Sequence, residues 1–229
     1  MTFVLNVLHK DFSVLVADKQ GGASGTVVLE TGGTTITVNS PNITINGIQK
    51  LFTNHPNSLV VGIAGQIQDH PYTTRINDAK DTTSALDIIH SHMATSHVRG
   101  NRRAIIDNTP VMQNEGLVTY FDVDTGEFFT DLFILTPSFI GSQRYQASGG
   151  GARLVHIGSG SPVLESAVGL ESINAFFSSL REIQDPSACV EWITHAYKLV
   201  SEKAVGCGSE FVAKCATRND PVFRDLVSG

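Results

Sequence analysis

The order in which this chain switches between strand-like and helix-like hydrophobic spacing constrains its fold more than any single motif does. It opens with two β-rich runs, Thr2–Leu8 and Phe12–Asp18, around a short polar turn at His9–Asp11, which predicts a hairpin. Strand-like runs follow at Gly25–Glu30 and Thr34–Asn39, with Thr31-Gly32-Gly33 as the turn between them. The second alternates threonine with isoleucine or valine, so one of its faces is expected to be solvated. Further strands are expected at Ile48–Thr53 and Leu59–Ala64, and Gly65 closes that region. A helix starting near Gln66 is expected to be interrupted or ended by Pro71. A second helix, N-capped by Thr82 or Thr83, is expected to run to about Ser96, with Ala85, Ile88, Ile89 and Met93 on its apolar face.

Strands return at Leu117–Val123 and Glu127–Thr136, joined by Asp124-Thr125-Gly126, and again at Ala152–Ile157. Pro162 suits the first turn of a helix whose Val163, Ala167, Leu170, Ile173, Phe177 and Leu180 recur every three or four residues. Asp185-Pro186 caps another helix with Val190, Ile193, Ala196, Leu199 and Val200 inward, and Gly206-Cys207-Gly208 breaks it. A last strand spans about Phe211 to Thr217. Segregated strand and helix blocks place helices on the outer faces of mostly antiparallel sheets, whereas a doubly wound parallel sheet alternates the two more regularly.

Composition narrows the functional classes. The chain has 229 residues and a formal charge of −6, with no Pro-, Ser- or charge-rich linker, so a single domain covering 1–229 is expected. No run of about 18 apolar residues exists to span a membrane. The mild acidity argues against a nucleic-acid footprint, and the one local basic cluster, Arg99, Arg102 and Arg103 with His97, reads as a solvated turn. Cys189, Cys207 and Cys215 are an odd count without C-x-x-C spacing, which indicates neither a disulfide framework nor a zinc site and fits a cytoplasmic location. The opening apolar run is soon broken by polar residues, so no secretory leader is expected. His90 and His92 do not share a helix face. Asp122-Val-Asp124-Thr-Gly126 lacks the later calcium ligands and reads as a hairpin turn. Gly158-Ser159-Gly160 lacks the third glycine of a dinucleotide loop. No metal and no cofactor is expected.

Thr2 carries the most specific chemistry. Methionine is removed before small residues, which leaves Thr2 with a free α-amino group beside its own hydroxyl. Such an amine, with a reference pKa of about 8, is a base near neutrality without any histidine. Asp18 ends the second strand of the opening hairpin, level with the start of the first, where a carboxylate sits beside the chain terminus. Lys50 is an ammonium on a later strand, suited to favour a deprotonated Thr2 oxygen. Gly65 offers a backbone N–H to a developing oxyanion, and Ser159 offers a hydroxyl to the terminal amine.

This ordered set resembles the proteasome β-subunit family of N-terminal nucleophile hydrolases, including the bacterial HslV-type peptidases, and within it looks most like the minor bacterial (betaproteobacterial) proteasome homologues. The resemblance rests on Thr2, Val-Leu-Val-Ala-Asp18, Lys50, Val-Gly-Ile-Ala-Gly65 with Asp69 after it, and Ile157-Gly-Ser159-Gly. It implies a four-layer α/β/β/α sandwich of the α+β class and a threonine-type endopeptidase. Thr2 would be nucleophile and, through its amine, base; Asp18 and Lys50 its charge pair; Gly65 the oxyanion donor; Ser159 the holder of the amine. Ile48, Phe52, Ile63 and Ile67 match positions that line the pocket for the substrate side chain before the cut, which implies apolar selectivity. The family's late Asp-x-x-Ser-Gly motif falls on Glu202-Lys203-Ala204-Val205-Gly206, with Glu202 for the aspartate and Val205 in place of the serine. The chain is longer than the family between Asp18 and Lys50, which is read as an added hairpin over about Gly21–Asn39. The resemblance also implies a homo-oligomer of stacked rings, unfolded polypeptides as substrates and an ATP-dependent unfoldase as a possible partner. A ring subunit that is inactive or very weakly active, with a structural role, is the alternative.

Overall fold

Strand alternation sorts the residues of the opening run into two different cores. In β1 (Phe3–His9) the side chains of Phe3, Leu5 and Val7 join one buried cluster while Val4 and Leu8 join another. β2 (Phe12–Asp18) repeats the division, with Phe12, Val14 and Val16 on the first side and Leu15 and Ala17 on the second. A strand buried on both faces must lie in an inner layer.

The structure, a computed structural model, describes residues 2–31, 34–65, 71–107, 114–136, 139–147, 151–183 and 185–226. After β1 and β2 come β3 (Gln20–Thr31), β4 (Thr34–Asn46), β5 (Leu51–Thr53), β6 (Leu59–Ala64), α1 (Pro71–Asp78) and α2 (Thr82–Asp107). Then follow β7 (Asn114–Asp122), β8 (Glu127–Thr136), β9 (Phe139–Gln146), β10 (Ala152–Gly158), α3 (Leu164–Val168), α4 (Leu170–Leu180), α5 (Val190–Lys203), β11 (Phe211–Thr217) and β12 (Asp220–Asp225). The first sheet runs β10-β1-β2-β11-β12 and the second β5-β6-β7-β8-β9, with antiparallel pairing throughout. β3 and β4 pair with each other as a separate two-stranded sheet.

Three apolar layers hold this together. Phe3, Leu5 and Val16 pack against Leu164, Ile173, Ile193 and Tyr197 of α3–α5. Val4, Leu15 and Ala17 meet Leu51, Val60, Leu117 and Phe128 between the sheets. Leu59, Val61 and Val118 pack against Ile76, Ala85 and Ile89 of α1 and α2. The result is a four-layer α/β/β/α sandwich, the architecture typical of N-terminal nucleophile hydrolases. Among the described residues no helix is long and apolar enough to cross a membrane.

A polar cluster crosses the apolar seam between the sheets. Asn6 of β1 donates to the hydroxyls of Thr119 in β7 and, at 2.7 Å, Thr130 in β8, and accepts from Ser13 of β2 at 3.0 Å. All four side chains are buried, so each depends on the others for its hydrogen bonds. Replacing Asn6 with alanine strands hydroxyls in the core, and the expected loss is about 1–3 kcal/mol, read as a lower midpoint in urea with an unchanged slope.

Several expectations shift in detail. Pro71 starts α1 instead of ending a helix, because the first helical position needs no N–H; the earlier helix start, at residue 66, lies outside the described residues. The cap of α2 is Asp81, whose carboxylate accepts the Ser84 N–H at 2.7 Å, and not Thr82 or Thr83. α2 runs on past Ser96 to Asp107, so the basic cluster from His97 to Arg103 is helical and not a turn. The helix expected after Pro162 divides at Gly169 into α3 and α4. The added hairpin extends from Gln20 to Asn46, beyond the expected strands. β9 and β12 were not expected.

Candidate active site

The opening hairpin sets the site. Its register pairs Val4 with Ala17, so Phe3 and Asp18 lie at the same end of the first sheet. The Phe3 N–H donates to Asp18 Oδ1 at 2.8 Å. On the other side of β1, Phe3 pairs with Gly158, and the chain continues so that Ser159 clamps Thr2. The Ser159 N–H donates to the Thr2 carbonyl at 2.8 Å. The Thr2 backbone nitrogen donates to Ser159 Oγ at 3.2 Å, and Ser159 Oγ lies 3.3 Å from the Thr2 carbonyl oxygen as donor.

Gly158 makes this clamp possible. Its φ is +89°, and a Cβ there would lie 2.0 Å from the Thr2 carbonyl oxygen. Its N–H is fixed by Glu115 Oε2 of the second sheet at 2.7 Å. Gly158→Ala therefore combines left-handed backbone strain with a backbone collision. The expected cost is about 3 kcal/mol or more, checked by thermal unfolding.

Lys50 reaches Asp18 because the chain leaves the strand path before β5 begins at Leu51. Its Nζ lies 2.7 Å from Asp18 Oδ1 and also donates to the Gln20 carbonyl. Both side chains are at most 1% exposed. Burial pushes the Lys50 ammonium below its usual 10.5, while Asp18 pulls it back up. Asp18 Oδ2 accepts a further bond, from the Gly208 N–H at 3.1 Å. One carboxylate thus joins β1, Lys50 and the loop after α5.

That loop is built around the Gly206-Cys207-Gly208 triplet, which the sequence presents only as a helix break. Gly206 has φ +78°, and a Cβ on Gly208 would lie 2.8 Å from that of Gln20. Between them the Cys207 sulfur lies 3.3 Å from Ser159 Oγ. Burial pushes the Cys207 thiol above its usual 9.0. Tyr197 braces the same corner from α5, its hydroxyl sharing one proton between the carbonyls of Phe3 and Val16 at 3.2 and 3.1 Å.

Ser159 is therefore in direct contact with Thr2, and Lys50 with Asp18; the Phe3 N–H on Asp18 and the Cys207-Gly208 loop link the two pairs. Gly65, with φ +118°, follows β6, whose last residue Ala64 lies beside Gly158. Glu202 is not brought to this cluster: it is exposed on α5 and lines an open depression of about 370 Å³ with Gln20, Val205 and Cys207. Val205 is 71% exposed. Ile48 is half-buried, its N–H on the Lys19 carbonyl at 3.0 Å. Phe52 and Ile63 pack in the core beneath α1 and α2. Ile67 lies outside the described residues. Thr2 itself is buried, 3% exposed. Cys207, Gly208 and Glu115 are the contributors that sequence reasoning missed; glycines on both sides of a cysteine were the one available signal.

Chemically, the cluster sets a threonine beside a buried ion pair, with its backbone nitrogen held by a hydroxyl. Neither a family model nor a curated protein matches the chain.

Proposed function

We propose that the chain is a threonine-type endopeptidase whose nucleophile is Thr2, freed as the terminal residue by removal of Met1. The observation that carries this reading is the junction at Asp18, which accepts from the Phe3 N–H and Lys50 while Ser159 Oγ holds the Thr2 nitrogen. In the proposed reaction Thr2 Oγ attacks the scissile carbonyl and the Thr2 amine takes its proton. The Gly65 N–H stabilises the developing oxyanion. The C–N bond breaks, the leaving amine takes the proton, and a Thr2 ester remains. Water activated by the same amine then releases the acid. Lys50 keeps positive charge near the Thr2 oxygen, and Asp18 holds Lys50 in place.

The finer placement is part of the same proposal. The chain is read as a single-domain cytoplasmic subunit like the minor bacterial proteasome homologues, assembled with its copies into stacked rings. It acts on unfolded polypeptides delivered by an ATP-dependent unfoldase, and its preference before the cut is for apolar side chains, met by Ile48, the one candidate among the described residues that is not packed in the core. Glu202 is exposed on α5 and takes no part in the proposed steps.

A second reading, a ring subunit without activity, is favoured by the burial of Thr2. Hydrolysis of fluorogenic peptides separates the two. Protein beginning at Thr2 is expected to cleave peptides with apolar residues before the cut, and protein carrying a non-removable N-terminal extension is expected to be inert. Equal rates from both forms would overturn the assignment of Thr2. No cleavage by either would favour the inactive subunit.

A further inference from the structure

We infer that Cys207 is a positioning residue whose thiol donates its proton to Ser159 Oγ and thereby fixes the direction in which the Ser159 hydroxyl points. This rests on the reading of Thr2 as the terminal nucleophile.

A serine hydroxyl has one proton to donate and two lone pairs to accept with. Ser159 Oγ has three partners at hydrogen-bond distance: the Thr2 nitrogen at 3.2 Å, the Thr2 carbonyl oxygen at 3.3 Å and the Cys207 sulfur at 3.3 Å. The Thr2 nitrogen donates and the carbonyl oxygen only accepts. Capacity is filled completely in one arrangement, with the thiol as the second donor and the hydroxyl proton on the Thr2 carbonyl. A thiolate would compete for that proton. Burial opposes the thiolate by holding Cys207 in its neutral form, against the weaker pull of Ser159 toward ionisation.

The consequence falls on the amine. With the Ser159 proton committed to the carbonyl, the hydroxyl only accepts from the amine and does not cap its lone pair. That lone pair stays available for the proton of Thr2 Oγ. The loop is shaped to place the sulfur: Gly206 supplies a left-handed turn before it, and the Gly208 N–H anchors the other side on Asp18.

Without the thiol, the Ser159 hydroxyl is free to turn its proton onto the amine lone pair. A hydrogen bond to the neutral amine disfavours the ammonium, so the acid limb of the kcat/KM profile moves to lower pH. The bond must also break during catalysis, so kcat falls.

The test compares Cys207→Ala, Cys207→Val and Cys207→Ser in the full chain with N-terminal Thr2, by peptide hydrolysis across pH. Alanine and valine are expected to lower kcat about tenfold, leave KM unchanged and shift the acid limb downward. Serine, which restores a donor, is expected to recover most of kcat and the original limb. Valine fills the thiol's volume, so a fall caused by a cavity alone would appear in alanine only and would overturn the inference. Wild-type kcat and profile in both apolar variants, or no recovery in the serine variant, would overturn it as well. If those results come with hydrolysis that Thr2→Ala abolishes, only the role of Cys207 falls. If Thr2→Ala hydrolyses at the wild-type rate, or the wild-type chain does not hydrolyse peptides, the reading of Thr2 falls and this inference with it.

Discussion

Thr2→Ala is expected to lower peptide hydrolysis by about 10⁴- to 10⁶-fold, the range for loss of a nucleophile that works as a unit with its base. The fold should survive. The contacts that hold residue 2 are made by its backbone: its carbonyl accepts the Ser159 N–H and its nitrogen donates to Ser159 Oγ. Alanine keeps both, and it keeps the amine after Met1 removal. The attacking oxygen and one methyl group are lost. Unfolding by heat should therefore be close to that of the parent while turnover disappears, and hydrolysis at the parent rate would show that the chemistry lies elsewhere.

Lys50→Ala is expected to have the largest effect on stability, about 3–5 kcal/mol, because it leaves the Asp18 carboxylate buried without its counter-charge. The pair is 2.7 Å apart and at most 1% exposed. The Phe3 and Gly208 N–H groups remain on Asp18, but neutral donors do not replace an ammonium. In the proposed mechanism Lys50 supplies the positive charge for the Thr2 oxygen, so turnover should fall with it. Chemical unfolding of the variant beside the parent measures the loss of stability, and a variant as stable as the parent would mean that Asp18 is not left uncompensated.

The site was legible where local geometry fixes distance. The turn between β1 and β2 is short, so strand spacing alone puts Asp18 level with Phe3, and the structure closes that gap to a 2.8 Å hydrogen bond. Ser159 was legible for a related reason: it follows the end of β10, and β10 pairs with β1 up to Phe3 and Gly158. The layers were legible because the apolar spacing changes period in blocks. What was not legible depends on loop conformation. Gly206-Cys207-Gly208 has no period, and only the left-handed turn at Gly206 and the approach of Gly208 to Gln20 aim the sulfur at Ser159. Fitting the late family motif on Glu202 and Val205 selects one side chain on the exposed face of α5 and one that the loop turns outward. Local rules also misled where two compete. Pro71 reads as a helix breaker or a helix start, and only the context of α1 decides. Asp81 lies next to two threonines that are themselves good caps, and its carboxylate takes the bond.

The central claim is that Thr2 becomes a live terminal nucleophile. The most direct measurement is intact mass before and after treatment with a peptide epoxyketone, which needs a hydroxyl and a free amine on the same residue to form its ring adduct. The account predicts loss of Met1 and a single adduct per chain, mapped to Thr2 and absent in Thr2→Ala. Retained Met1 in the purified protein, or processed protein that forms no adduct, would contradict it.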